Sequence, residues 1–217
     1  MKQDIYKILI LFTIFFSPFN LFASDQYNPQ AAKTNAQLGM AYLNKNMYAE
    51  SKNRLLIALQ EDPEIAAGWY SMGYYYQKTN NAKLAEQYYQ KAISVEPTSG
   101  AAHNNYGAFL CQEKQYKNAI SEFLSAINQP NYIHAASAYE NAAMCALRIP
   151  DRSLAVSYFQ KAIDNNPNKP YSLLSLAQIS YQNGDTVSAE RYFDDFVKIS
   201  NLTSKEINTY RAHVFQK

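Results

Sequence analysis

A small residue returns every 34 positions or so along this chain: Gly39, Gly73, Gly107, Ala143 and Ala177 stand 34, 34, 36 and 34 apart. A period of roughly 20 to 50 residues constrains a fold more than local propensity does. Each period must be one supersecondary unit that can bury its apolar face only against the next. Around each small residue the same types recur, as Leu38 and Tyr42 flank Gly39, Trp69, Met72 and Tyr76 flank Gly73, and Tyr106 and Leu110 flank Gly107. A second set then pairs small with large: Ala85 with Tyr89 and Ala92, Ala119 with Phe123 and Ala126, Ala155 with Phe159 and Ala162, Ala189 with Phe193. Pro63, Pro97 and Pro167 close the units.

This pattern resembles the tetratricopeptide repeat, a helix-turn-helix unit in which small residues let two helices approach while large ones fill the gap between neighbours. The resemblance implies an all-α, right-handed superhelical solenoid of about five helix-turn-helix units plus a C-terminal capping helix. The expected units are 32–65, 66–99, 100–133, 136–169 and 170–203. The two extra residues fall near His134 and Ala135, after Pro130, which implies a longer turn between the third and fourth units. Residues 204–217 begin with Ser204 as a candidate cap and carry Ile207, Tyr210 and Val214 at helical spacing, enough for the capping helix but not for a sixth unit.

The N-terminus has Lys2 and Lys7 before an apolar run over 8–16, with Pro18 and Asn20 interrupting it and Leu21, Phe22 and Ala23 following. That is the layout of a secretory signal over 1–23, cut after Ala23, leaving a mature solenoid over 24–217. Retention as an anchor is the other reading, and a run of 8–16 falls well short of the ~20 apolar residues a spanning helix needs. Losing Lys2, Lys7 and Asp4 leaves 18 basic and 17 acidic residues, a balance that gives no support to nucleic-acid or anionic-surface binding. No cysteine follows the run to accept a lipid, so the expected product is periplasmic, not lipid-anchored, and associated with the outer membrane through its partner.

In this repeat family the groove is lined by the first helix of each unit. The candidate partner-binding residues are Gln37, Tyr70, Ser71, Tyr74, Asn104, Asn105, Glu140, Asn141, Met144, Tyr171, Ser175 and Tyr181. One column among them is polar in every unit: Gln37, Ser71, Asn105, Asn141 and Ser175. An Asn amide can donate to and accept from one backbone at once, so such a column could hold an extended peptide; it could equally be a solvated face. The groove tyrosines are either anchors for a partner segment or packing against the second helices. The basic clamp with which some repeats hold an acidic C-terminus is not matched, since Ala36, Met40, Ser71 and Ala101 occupy its places.

Chemistry finds little support. His103, His134 and His213 are dispersed, and no Gly-rich phosphate loop or metalloprotease helix motif occurs. His103 stands where Trp69 stands one unit earlier. A zinc site from His103, Cys111, His134 and Cys145 matches no common ligand spacing. No enzyme activity, cofactor or small-molecule substrate is expected.

Three segments carry a narrower resemblance: "NAQLGMAYL" over 35–43, "HNNYGAFLC" over 103–111 and "ENAAMCAL" over 140–147. They resemble the PilF and PilW family of type IV pilus biogenesis and stability proteins, across all five units. That resemblance implies a pilotin, a non-enzymatic helper of outer-membrane secretin assembly whose partner is the secretin or another pilus component. Family members are usually lipidated on a cysteine after the signal, and none stands there here. A general periplasmic peptide- or protein-binding adaptor is the alternative.

Cys111 and Cys145 follow from helix geometry. Cys111 is the twelfth residue of one first helix and Cys145 the tenth of the next, and a difference of two residues is about 200° of rotation and about 3 Å of rise. Parallel neighbours touch through opposite faces, so the thiols should meet at one height. An exported compartment is oxidising, so a Cys111–Cys145 disulfide is expected, two buried free thiols being the other reading.

Overall fold

The computed structural model describes residues 27–150 and 152–216; the expected leader over 1–23 lies outside them. Every regular element among the described residues is an α-helix, as the repeat implies: α1 (Pro29–Asn44), α2 (Tyr48–Glu61), α3 (Ala66–Lys78), α4 (Ala82–Val95), α5 (Gly100–Gln112), α6 (Tyr116–Ile127), α7 (Ala135–Ala146), α8 (Arg152–Asn165), α9 (Pro170–Gln182), α10 (Thr186–Ile199) and α11 (Ser204–Val214). The helices pack most closely as successive pairs, α1 with α2 through α9 with α10, and α11 lies against α9.

The small-and-large pattern explains the pairing. A Cβ added to Gly39 would meet the Leu55 side chain at 2.5 Å, one on Gly73 the Tyr89 ring at 3.0 Å, and one on Gly107 Phe123 at 2.9 Å. Leu55, Tyr89, Phe123, Phe159 and Phe193 are all buried, each sixteen residues after its small partner. Fully burying side chains of this size is worth about 1.5–3 kcal/mol each, so a column of five forms the spine of the core.

The turn inside each pair repeats as well. Asn46, Asn80, Lys114 and Gly184 all have positive φ, between 58° and 84°. This left-handed conformation costs an ordinary L residue roughly 1–2 kcal/mol, and Gly and Asn tolerate it best. Lys114 is therefore the costly member of the series. In the fourth pair the equivalent place is Pro150, whose ring holds φ near −65°.

Residues 128–134 form the longer connection expected from the sequence, against the four-residue connections 62–65, 96–99 and 166–169. Tyr132 folds back onto the first turn of α5, where a Cβ on Gly100 would meet its ring at 2.5 Å. Beyond its own partner α8, α7 packs on α6, and its direct packing with α5 is thin compared with α1 on α3 or α3 on α5.

The start of α11 corrects one expectation. Thr203, not Ser204, is the cap: its backbone N–H donates to Glu206 Oε2 at 2.8 Å, while its hydroxyl accepts from Glu206 N, closing a capping box.

Candidate functional site

The first helices α1, α3, α5, α7 and α9 carry all the candidate groove residues, but the structure uses these residues in different ways. Gln37 is exposed. Ser71 is only 1% exposed and lies inside the repeat core. Asn105 donates its amide to Ala101 O of its own helix at 2.8 Å. Asn141 Nδ2 donates to Asn104 Oδ1 at 3.1 Å, joining α7 to α5. Ser175 is half-buried. The polar column thus does not present one uniform row of amides to a ligand.

Like Asn141, other polar side chains of the first helices join neighbouring pairs. Gln77 Nε2 donates to Gln112 Oε1 at 2.8 Å, and Ser172 Oγ donates to Glu140 Oε2 at 2.6 Å. Lys169 Nζ reaches Glu140 Oε1 at 3.3 Å and Ser137 Oγ at 2.8 Å, with both charged side chains mostly out of water. Partly buried charges that lack partners are costly, so this network fixes α9 on α7.

The aromatic lining divides the same way. Tyr70 is half-buried against the core, and burial, then the Glu96 carboxylate, push its phenol pKa up. Tyr74 is half-buried with Lys78 Nζ 5.9 Å above its ring. Tyr181 packs edge-on against Phe215 beside the capping helix, centroids 5.2 Å apart. Tyr171 remains 48% exposed and Met144 43% exposed. Of the tyrosines expected along the groove, Tyr171 keeps the most surface for a partner.

Cys111 on α5 and Cys145 on α7 lie at disulfide distance, with Cα atoms 5.8 Å apart. Cys145 is fully buried, and Cys111 is half-buried at the wall of a cleft. The link crosses the place where α5 and α7 pack least.

That cleft, about 480 Å³, lies between α5 and α7 on the groove side. Ala108, Cys111 and Gln112 come from α5, Asn141 and Met144 from α7, and Tyr116 and Phe123 from α6 behind them. Lys114 and Arg148 stand on its edge, and both also line the adjoining depression with Lys117, Asn118 and Ile149. No acidic residue lines either space, and none of the three cations forms an ion pair among the described residues. Lys114, Tyr116 and Phe123 were absent from the groove set expected from the sequence. The available signal was Lys114 itself, a Lys at the turn position where the other pairs place Asn or Gly.

His103 is buried rather than chemically poised. Its Nδ1 lies 2.7 Å from Glu122 Oε2 and its Nε2 3.0 Å from Pro97 O. A carbonyl and an ionised carboxylate only accept, so these two contacts favour the protonated ring over the neutral one. The hydrogen bond to Glu122 is the main cause of a pKa held above the ordinary histidine value, with burial opposing it. Among the described residues no group of three or more His, Cys, Asp or Glu side chains could hold a metal ion, and no helix is long and apolar enough to cross a membrane.

Known proteins place this geometry. A tetratricopeptide repeat family model matches residues 25–195. The type IV pilus assembly protein PilF of Pseudomonas aeruginosa is 29% identical over 179 residues, covering 82% of this chain and 71% of that protein. A solved structure from the functional characterization of Pseudomonas aeruginosa PilF is 28% identical with a TM-score of 0.74, covering 85% of this chain and 84% of that one. The crystal structure of PilW, a widely conserved type IV pilus biogenesis factor, has a TM-score of 0.72 at 23% identity, with 86% of each chain covered, and shows the shared fold.

Proposed function

The chain belongs to the tetratricopeptide repeat family, and on that premise we propose that it is a non-enzymatic assembly factor for type IV pili. The observation that carries this reading is the similarity to PilF, which runs through the helix pairs from end to end rather than through one repeat. A solenoid of this kind works by presenting a long concave surface to another protein. Its residues are spent on shape and contact, consistent with a groove whose polar groups mostly hold the repeats together. Cys111 and Cys145 form a disulfide that fixes the third helix pair on the fourth.

Within pilus assembly the specific role is that of a pilotin-like helper. It acts in the periplasm after removal of residues 1–23 and binds the secretin, or a component that assembles with it, through the groove. It reaches the outer membrane through that partner. Purified secretin immobilised on beads tests the reading. The protein is retained by the secretin and not by an unrelated outer-membrane barrel if the proposal holds; equal retention by both defeats it.

A further inference from the structure

The cleft between the third and fourth helix pairs combines features that the rest of the groove lacks. Its floor is apolar and aromatic, from Tyr116, Phe123 and Met144, and its edge is basic, from Lys114 and Arg148. On the other side of α7, Glu140 is neutralised by Lys169. Here two cations face one cavity with no counter-charge among its lining residues, although the whole chain carries a formal charge of only +2.

Lys114 adds a separate observation. It holds φ at +64°, whereas the same turn is built from Asn46, Asn80 and Gly184 in three other pairs. Asn or Gly would relieve the backbone, and among the described residues the Lys114 side chain makes no hydrogen bond or ion pair that either would sacrifice. Strain kept where a better residue is available two repeats away points to a use for the ammonium group.

We propose that this cleft takes an extended protein segment that lays an apolar side chain on Tyr116 and Met144 and sets a carboxylate against Lys114 and Arg148. The volume, about 480 Å³, suits one or two side chains rather than a folded element. Gln112 Nε2 and Asn141 Oδ1, the amide atoms not used in the bonds to Gln77 and Asn104, can pair with the segment's backbone. An anionic bilayer is a poorer match, because membrane-binding patches need about four to eight basic residues on an accessible face, and here the cations edge a recess between helices. The inference rests on the scaffold reading only in that the ligand is a protein.

The test uses an array of short peptides, each with one central Leu, Ile, Phe or Met and, one to three places further on, Asp or Glu, the matching amide, or Lys. Binding of the protein, expressed as the full chain, is measured for wild type, Lys114→Asn and Arg148→Ala. Lys114→Asn copies a turn the fold already uses, so it stays folded, which circular dichroism checks. Acidic peptides are expected to bind at least about fivefold better than their amide counterparts, with a preference that weakens at high salt and disappears in Lys114→Asn. Backbone amide signals of Ala108, Gln112 and Met144 shift on titration with the best peptide. Equal binding of acidic and amide peptides, no binding, unaltered preference in Lys114→Asn, shifts confined to other helix pairs, or displacement by phosphatidylglycerol vesicles would each overturn the proposal. Secretin capture that is equal for wild type and Lys114→Asn sinks this inference while leaving the scaffold reading intact; selective peptide binding without secretin capture does the reverse.

Discussion

His103 repeats the bond that Trp69 makes one repeat earlier. Trp69 Nε1 donates to Pro63 O at 2.7 Å, and His103 Nε2 donates to Pro97 O at 3.0 Å, each to a carbonyl six residues upstream. The ring N–H ties the first helix of one pair to the proline that ends the pair before it. His103 differs in having a second nitrogen, which is bound by Glu122.

That difference makes stability depend on pH. The folded pKa of His103 lies above its ordinary value near 6.5, mainly because of the Glu122 hydrogen bond. A raised folded pKa means the stabilisation is fully present below about 6.5 and is lost as pH rises through the folded value. Thermal unfolding should therefore show a melting temperature that falls as pH rises from about 6 to about 8. His103→Gln should lower the melting temperature at pH 6 and flatten that slope. An unchanged slope in His103→Gln would remove His103 as its cause.

Gly107 should not tolerate alanine. Its added Cβ would lie 2.9 Å from Phe123 and 3.0 Å from the backbone carbonyl of Ala119, which cannot swing aside. Helix propensity favours Ala over Gly by up to about 1 kcal/mol, but overpacking costs about 1–3 kcal/mol, so the clash wins. Urea unfolding of Gly107→Ala should show a loss of about 1–2 kcal/mol with an unchanged slope.

The proposed disulfide between Cys111 and Cys145 would close a separation of 34 residues. Reduction, or the double change Cys111→Ser with Cys145→Ser, should cost about 2–4 kcal/mol. The loss should fall on the third and fourth helix pairs, where α5 and α7 have little other direct contact, and hydrogen exchange of α7 should rise more than that of α2. Two free thiols in unreduced protein, counted by mass spectrometry, would contradict the bond itself.

Much of the fold was legible because a repeat states its packing more than once. Gly73 with Tyr89 and Gly107 with Phe123 give the same small-to-large step, so the helix pairs follow from spacing alone. The cysteines were legible for a related reason, since two residues of offset on parallel neighbours fixes both height and direction. The groove was less so. Whether Asn141 meets a ligand or Asn104 depends on the lateral gap between α5 and α7, which the conformation of residues 128–134 sets. Ser71 carries the polarity of a surface residue but sits on the inner side of α3, a rotation too small for a family position rule to resolve. The cleft needed three helices and a turn at once, and only the out-of-pattern Lys114 marked it in the sequence. Thr203 and Ser204 are both good caps, and the reciprocal reach of Glu206 decides between them.

The central claim, that this solenoid serves assembly of the pilus pore, is tested most directly by deleting its gene and assaying heat-stable secretin multimers in envelope fractions, with surface pili scored alongside. The account predicts that multimers and pili are both lost and that the wild-type chain restores them. Multimers present at their normal level in the deletion strain would contradict it.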